Sequence, residues 1–142
     1  MADVVPISDK LRDSREQVLR DHLAAVTRGD DDAVVATYRH PRIELVGTGR
    51  VIDGADAVRE HLQERRRAFP DQAFEVICYH HSDRAVIAEM WMTGTHLGEL
   101  QGVEPTGKRF KVRVAAVCEF DGDALVNQRF YYDHGTVARQ LA

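Results

Sequence analysis

Apolar residues recur at two different spacings in this chain, and the change of spacing divides it. Val18, Leu19, His22, Leu23 and Val26 repeat at helical intervals. Ser14 and Gln17 have capping-box spacing ahead of them, and Gly29 is a natural stop. Asp30 or Asp31 then caps a short second helix through residues 33–38, which Pro41 keeps from running on. Residues 43–46 and 51–52 read as short strands around a Gly47-Thr48-Gly49 turn. Asp53 is the expected cap of a third helix that buries Val58, Leu62 and Phe69 and ends at Pro70. From residue 73 the period becomes two. Strands are expected over 73–81 and 84–96, with a tight turn at Ser82-Asp83, and over 110–120. Asp121-Gly122 turns the chain into a further strand, and a short helix covers residues 136–141.

The stretch 126–133 draws the candidate chemistry together. As a strand it places Asn127, Arg129, Tyr131 and Asp133 on one face, and Val126, Gln128, Phe130 and Tyr132 on the other. A face holding a carboxylate, a guanidinium and a phenol either meets water or lines a polar pocket. Asp133, near the end of the strand, has a further reading as the cap of the final helix.

Helices segregated from a run of long antiparallel strands make an α+β domain, and a sheet curved around its helices encloses a cone suited to an apolar ligand. The length of 142 residues fits one domain spanning the chain, with residues 1–8 as a loose lead-in. The net charge of −4 gives no reason to expect a nucleic-acid partner. Arg65-Arg66-Arg67, the one basic run, reads as a solvated helix end. Cys78 and Cys118 fall inside apolar strand patterns and read as buried thiols rather than a disulfide. Without an apolar signal core or a spanning run, a cytoplasmic protein with no membrane partner is the expectation.

Of the candidate groups, His80 and His81 point to opposite faces of a strand and His96 has no partner at ligand spacing, so no metal is expected. No Gly-x-Ser-x-Gly elbow is present, and neither cysteine has the context of a reactive thiolate. General acid/base chemistry remains, with Asp133, His96, His134 and Glu44 as candidates and Tyr38, Trp91, Asn127, Arg129 and Tyr131 as walls or hydrogen-bond donors.

Several segments carry a resemblance: Ala68-Phe69-Pro70-Asp71, Gly94-Thr95-His96-Leu97-Gly98-Glu99-Leu100-Gln101-Gly102, Pro105-Thr106-Gly107-Lys108, Asp121-Gly122, Asp133 and Gln140-Leu141. In order and spacing they are similar to the SnoaL-like polyketide (ester) cyclases, over about residues 14–142. The resemblance implies an NTF2-like cone, a strongly curved antiparallel or mixed sheet wrapped around three N-terminal helices. It implies ring closure by an intramolecular aldol step without metal or organic cofactor, with a strand aspartate as acid/base group. By position that is Asp133, with His96 in support and a pKa raised by desolvation. The chain departs from the family pattern where a Glu-aromatic pair is usual, at residues 127–129. It also has no histidine in Ala116-Val117-Cys118-Glu119.

The leading expectation is therefore a cofactor-free acid/base enzyme acting on a hydrophobic carbonyl compound. Asp133 would carry the proton, His96 and Tyr131 would orient the ligand, and Tyr38, Glu44, Asn127, Arg129 and Trp91 or Met90 and Met92 would shape the pocket. One alternative is a hydrolase or isomerase of the epoxide-hydrolase type, with Arg129, Asp133 and Glu44 around a water. Another is a non-catalytic ligand-binding or dimerisation module. Apolar residues on both faces of the long strands predict a homodimer through the outer sheet face. The connection 95–109 is expected at the rim of the cone, controlling ligand access.

Overall fold

The computed structural model describes residues 6–142; most of the lead-in expected at 1–8 lies outside them. Helix α1 spans Asp9–Arg28, α2 Asp31–Ala36, α3 Ala55–Ala68 and α4 His134–Leu141. The strands are β1 Arg42–Leu45, β2 Arg50–Asp53, β3 Ala73–His81, β4 Ala85–Thr95, β5 Arg109–Asp121 and β6 Ala124–Tyr131. They form one open mixed sheet in the order β2-β1-β6-β5-β4-β3. The β1–β6 pair is parallel and its neighbours are antiparallel.

Local chemistry explains most boundaries. Gly29 ends α1 at φ 74°, a left-handed conformation that favours glycine. Asp30 caps α2 by accepting from Ala33 N. Two starts differ from the expectation. Helix α1 is capped by Ser8, whose hydroxyl accepts from Leu11 N, because residues 9–13 continue the helix ahead of Ser14. Gly54, not Asp53, precedes α3, and the Asp53 carboxylate bonds His40 instead.

The buried positions of β4 and β5 alternate strictly, which fixes the concave face. Met90 and Met92 point inward, Met92 against Arg65 of α3, while Trp91 lies on the convex face between Lys111 and Arg113. Of the two cysteines expected to be buried, Cys118 is, whereas Cys78 is exposed beside an irregularity in the β3–β4 pairing; both are free thiols. Arg15 is 2% exposed and donates to the carbonyls of Gly122, Ser82 and Asp83, tying α1 to two hairpin turns.

The Gly-Thr-His-Leu-Gly segment works as a clasp. Leu97 N and Gly98 N both donate to Ala68 O at the end of α3. A Cβ on Gly98 would lie 2.0 Å from Arg67 O, so only glycine fits there. The Asp71 carboxylate accepts from Thr95 N and Thr95 Oγ1, at 2.7 and 2.6 Å. Those bonds hold its pKa below the usual carboxylate range. No described helix is long and apolar enough to cross a membrane.

Candidate functional site

Between α1, α3 and the concave sheet lies a cavity of about 330 Å³, within the usual size of a small-molecule site. Its walls are largely apolar, with Leu19, Ile43, Phe74, Met90 and Phe130 among them. Its polar lining includes His22, His61, Arg65, Gln72, Gln128 and Tyr132, and among the described residues no Asp or Glu belongs to it. A second chamber, of about 350 Å³, lies under α4 and the 96–108 connection. Arg65, Phe69, Met92 and Tyr132 border both chambers.

Helix α3 brings the central pair together. His61 and Arg65 are one turn apart, on the stripe that also carries Val58, Leu62 and Phe69. His61 Nδ1 is buried without a hydrogen-bond partner among the described residues. Burial lowers the His61 pKa to about 4, helped by Arg65 and Arg50, so the ring is neutral at pH 7. Arg65 Nε donates to Gln72 Oε1 at 2.9 Å, Nη2 approaches Met92 Sδ at 3.7 Å, and the guanidinium lies 4.8 Å over the Phe69 ring. Burial lowers its pKa as well. Among the described residues no carboxylate lies within 4.0 Å of it, and the adjacent Glu64 pairs with Arg50.

His22 belongs to the structural side of the same cavity. Thr37 Oγ1 donates to Val34 O at 2.6 Å, so at 2.8 Å it accepts from His22 Nδ1–H, leaving the lone pair on Nε2. Burial lowers the His22 pKa to about 4. Tyr38 packs edge-on against it and donates to Gln128 Oε1, while Gln128 Nε2 faces Cys118 Sγ at 3.5 Å. Burial holds the Tyr38 hydroxyl protonated and pushes the Cys118 thiol up to about 12. A thiol so far from ionising is no nucleophile.

The residues expected from sequence divide among four places. Tyr38 reaches the cavity through Gln128. His96, 2% exposed, borders the second chamber with neither ring nitrogen partnered among the described residues, and packs on Phe69. His134 borders it too, stacked on Tyr132.

Glu44, Asn127 and Arg129 lie on the convex face instead, in a network with Arg42 and Glu119. Trp91 and the 43% exposed Tyr131 also lie outside the cavity. The cause is register: Gln128 pairs with Cys118 and Phe130 with Ala116, both buried, so Gln128 and Phe130 face inward and Asn127 and Arg129 outward.

Asp133 is not in the cavity. Strand β6 ends at Tyr131, and Asp133 caps α4, accepting from Gly135 N at 2.9 Å and Thr136 Oγ1 at 2.8 Å with its side chain 65% exposed. Its pKa is lowered by the Thr136 hydroxyl and then by the backbone N–H groups of Thr136 and Gly135, where a desolvated aspartate would have been raised. The nearby cation is Arg139, at 3.8 Å, rather than Arg129. The residues missed from sequence, His61, Arg65 and Gln128, had one visible signal: His61 and Arg65 are polar positions inside the apolar stripe of α3.

Comparison with known proteins bears on the fold. A structure from Xanthomonas campestris pv. campestris, designated a candidate polyketide cyclase, is 19% identical with a TM-score of 0.83, covering 93% of this chain and 99% of that one. A candidate SnoaL-like polyketide cyclase from Jannaschia sp. CCS1 is 16% identical with a TM-score of 0.80, covering 99% and 97%. IdmH from Streptomyces antibioticus, a candidate polyketide cyclase, is 22% identical with a TM-score of 0.76, covering 89% and 97%. A structure described as having a ketosteroid isomerase-like fold, from Catenulispora acidiphila, superposes with a TM-score of 0.76 at 14% identity, covering 88% and 92%. At these identities the likeness is one of fold. No curated protein matches the chain in sequence. The sequence pattern of the SnoaL-like polyketide cyclases, however, matches residues 16–141, nearly the whole chain, and the protein belongs to that family.

Proposed function

We propose that the protein binds a hydrophobic carbonyl compound in the cavity and catalyses proton transfer on it, of the kind that closes a ring by an aldol-type step. One observation carries this reading: neutral His61 stands one helical turn from Arg65, both border an apolar cavity, and among the described residues no carboxylate pairs with Arg65 within 4.0 Å. A neutral imidazole can take a proton from the carbon next to a carbonyl. A fixed positive charge in a poorly solvated site stabilises the negative charge that then develops on oxygen. The enolate carbon attacks a second carbonyl of the same molecule, and the alkoxide formed takes the proton back from the His61 imidazolium. Base and product are thus restored using groups of the protein alone.

Among the described residues the cavity lining holds no Asp or Glu, so a hydrolase that needs two acids around a water finds no support there. The same lining favours a second reading, a non-catalytic carrier for an apolar ligand, because carrying requires no base.

Solvent deuterium exchange into 2-tetralone, followed by NMR, separates the two. The catalytic reading expects the protein to accelerate exchange, and His61→Gln to lower the rate by roughly 10²–10⁴-fold. A rate unchanged by His61→Gln removes His61 as the base. Binding of 2-tetralone without acceleration supports the carrier.

A further inference from the structure

The arginines of this protein meet their hydrogen-bonding needs in different ways. Arg15, buried, spends its guanidinium on three backbone carbonyls. Arg66 pairs with Asp31, and Arg28 with Asp30 at 3.5 Å. Arg65 stands apart. It has five N–H donors, yet its acceptors among the described residues are one glutamine oxygen and one thioether sulfur. It sits at the partition of two chambers, with Phe69, Met92 and Tyr132 around it. Among the described residues neither chamber has an Asp or Glu in its lining, and the terminal Ala142, which borders the second chamber, accepts from Lys108 Nζ. Arg65 is half-buried; a charge partly withdrawn from water without a counter-charge carries a desolvation cost, and in a lined cavity a ligand can supply the partner.

Resting on the reading of this cavity as a ligand site, we propose that Arg65 anchors a carboxylate carried by the ligand, so that the protein selects hydrophobic carboxylic acids over their neutral analogues. The guanidinium fork matches a carboxylate in two parallel hydrogen bonds, and donors remain for it. The surrounding methionine, phenylalanine and tyrosine side chains suit the apolar body of such an acid. The ligand's acid group would lie at the partition and its body could extend into either chamber. Because Arg65 is one turn from His61, a ketone elsewhere on the anchored ligand comes within the neighbourhood of the proposed base; for a ligand that carries the acid Arg65 is its anchor, and the oxyanion role described above belongs to ligands without one. Neutralising Arg65 would also relieve part of its repulsion on a protonated His61, so bound acid should raise the His61 pKa.

The test uses matched pairs of acid and primary amide: decanoate, 2-naphthoate and 4-phenylbenzoate. Affinities are measured by calorimetry and thermal shift at pH 8, where each acid is ionised. At least one acid should bind ~10-fold or more tightly than its amide, the range expected for hydrogen bonds to a charged group. Arg65→Met keeps the apolar stem but not the guanidinium and should abolish the preference, leaving acid and amide equal. Arg65→Lys keeps the charge without the fork and should retain part of it. NMR titration of His61 should show its pKa higher with the acid bound than with the amide. Acid and amide binding alike across all three pairs, or a preference that survives Arg65→Met, overturns the proposal. The deuterium-exchange result is independent of these outcomes: an anchor without exchange leaves a carrier of acids, and exchange without acid preference leaves a catalyst of neutral carbonyl compounds.

Discussion

Both faces of β6 carry polar side chains, and they do so under opposite conditions. On the convex face Asn127 and Arg129 meet Glu119, Glu44 and Arg42, so each charge has a counter-charge within reach. On the concave face Gln128 is bound by Tyr38 and Cys118, and beyond it the cavity wall holds His22, His61 and Arg65 with no acid among them. The convex network satisfies itself at the edge of solvent. The concave groups are desolvated, and two of them, His61 and Arg65, keep unused hydrogen-bonding capacity. Polarity alone therefore does not mark a site; polar groups left unsatisfied in an apolar setting do.

The largest effect expected from this contrast is acid sensitivity arising on the concave side. The His22 pKa is lowered from 6.5 to about 4 by burial, so below pH 6.5 the unfolded chain takes up a proton that the folded one refuses. Stability is full above pH 6.5 and is lost as pH falls toward 4, by about 3 kcal/mol at about 1.4 kcal/mol per unit of pKa. Glu44 and Asp71, both lowered by hydrogen bonds, add to the loss at still lower pH. Urea denaturation of wild type and His22→Gln between pH 7 and pH 4 checks this. Glutamine can still donate toward Thr37 but does not titrate here, so the variant should lose less stability on acidification. Equal losses would place the sensitivity elsewhere.

The fold was legible because its periods are long and unmixed. The alternation in β4 and β5, Gly29, and the Asp121-Gly122 turn each define an element with little competition. The face of β6 was not legible. Both of its faces are polar, and the inward one is set by pairing with Cys118 and Ala116, a matter of register between distant segments. Asp133 illustrates the same limit, since a carboxylate two residues beyond a strand serves equally well on paper as a pocket acid or as a helix cap. Arg65 was hidden differently. As one of three consecutive arginines it reads as a solvated end, although its spacing from Val58, Leu62 and Phe69 puts it on the buried stripe. Trp91 and the methionines on either side of it alternate, and the sheet turned the methionines inward.

A smaller effect is expected on the convex side. Arg129→Gln breaks the pair with Glu119, whose side chain is 38% exposed, and solvent screens what is lost there. The expected cost is at most about 1 kcal/mol, as for surface ion pairs. Binding of the aryl acids should not change, because the network lies across the sheet from the cavity. A marked loss of affinity in Arg129→Gln, with the melting temperature preserved, would mean that the two faces communicate and that the contrast drawn from β6 is too sharp.

The smallest effect is expected at Asp133, where the family resemblance points to the acid/base group. Its carboxylate accepts from Gly135 N and Thr136 Oγ1 and closes the first turn of α4. Asp133→Ala removes that cap, while Asp133→Asn retains much of it because asparagine is also a good N-cap. The melting temperature should therefore fall slightly in the alanine variant and less in the asparagine variant. Deuterium exchange into 2-tetralone should stay within about three-fold of wild type in both, against the roughly 10²–10⁴-fold loss that follows removal of a general acid/base. Helix α4 roofs the second chamber through Val137, Ala138 and Leu141. Any change in ligand affinity should accordingly follow the loss of the cap, larger in alanine than in asparagine. If instead the two variants lose exchange activity equally and keep their stability, the carboxylate itself is acting on the substrate, α4 must move in solution to bring it there, and His61 is not the sole base.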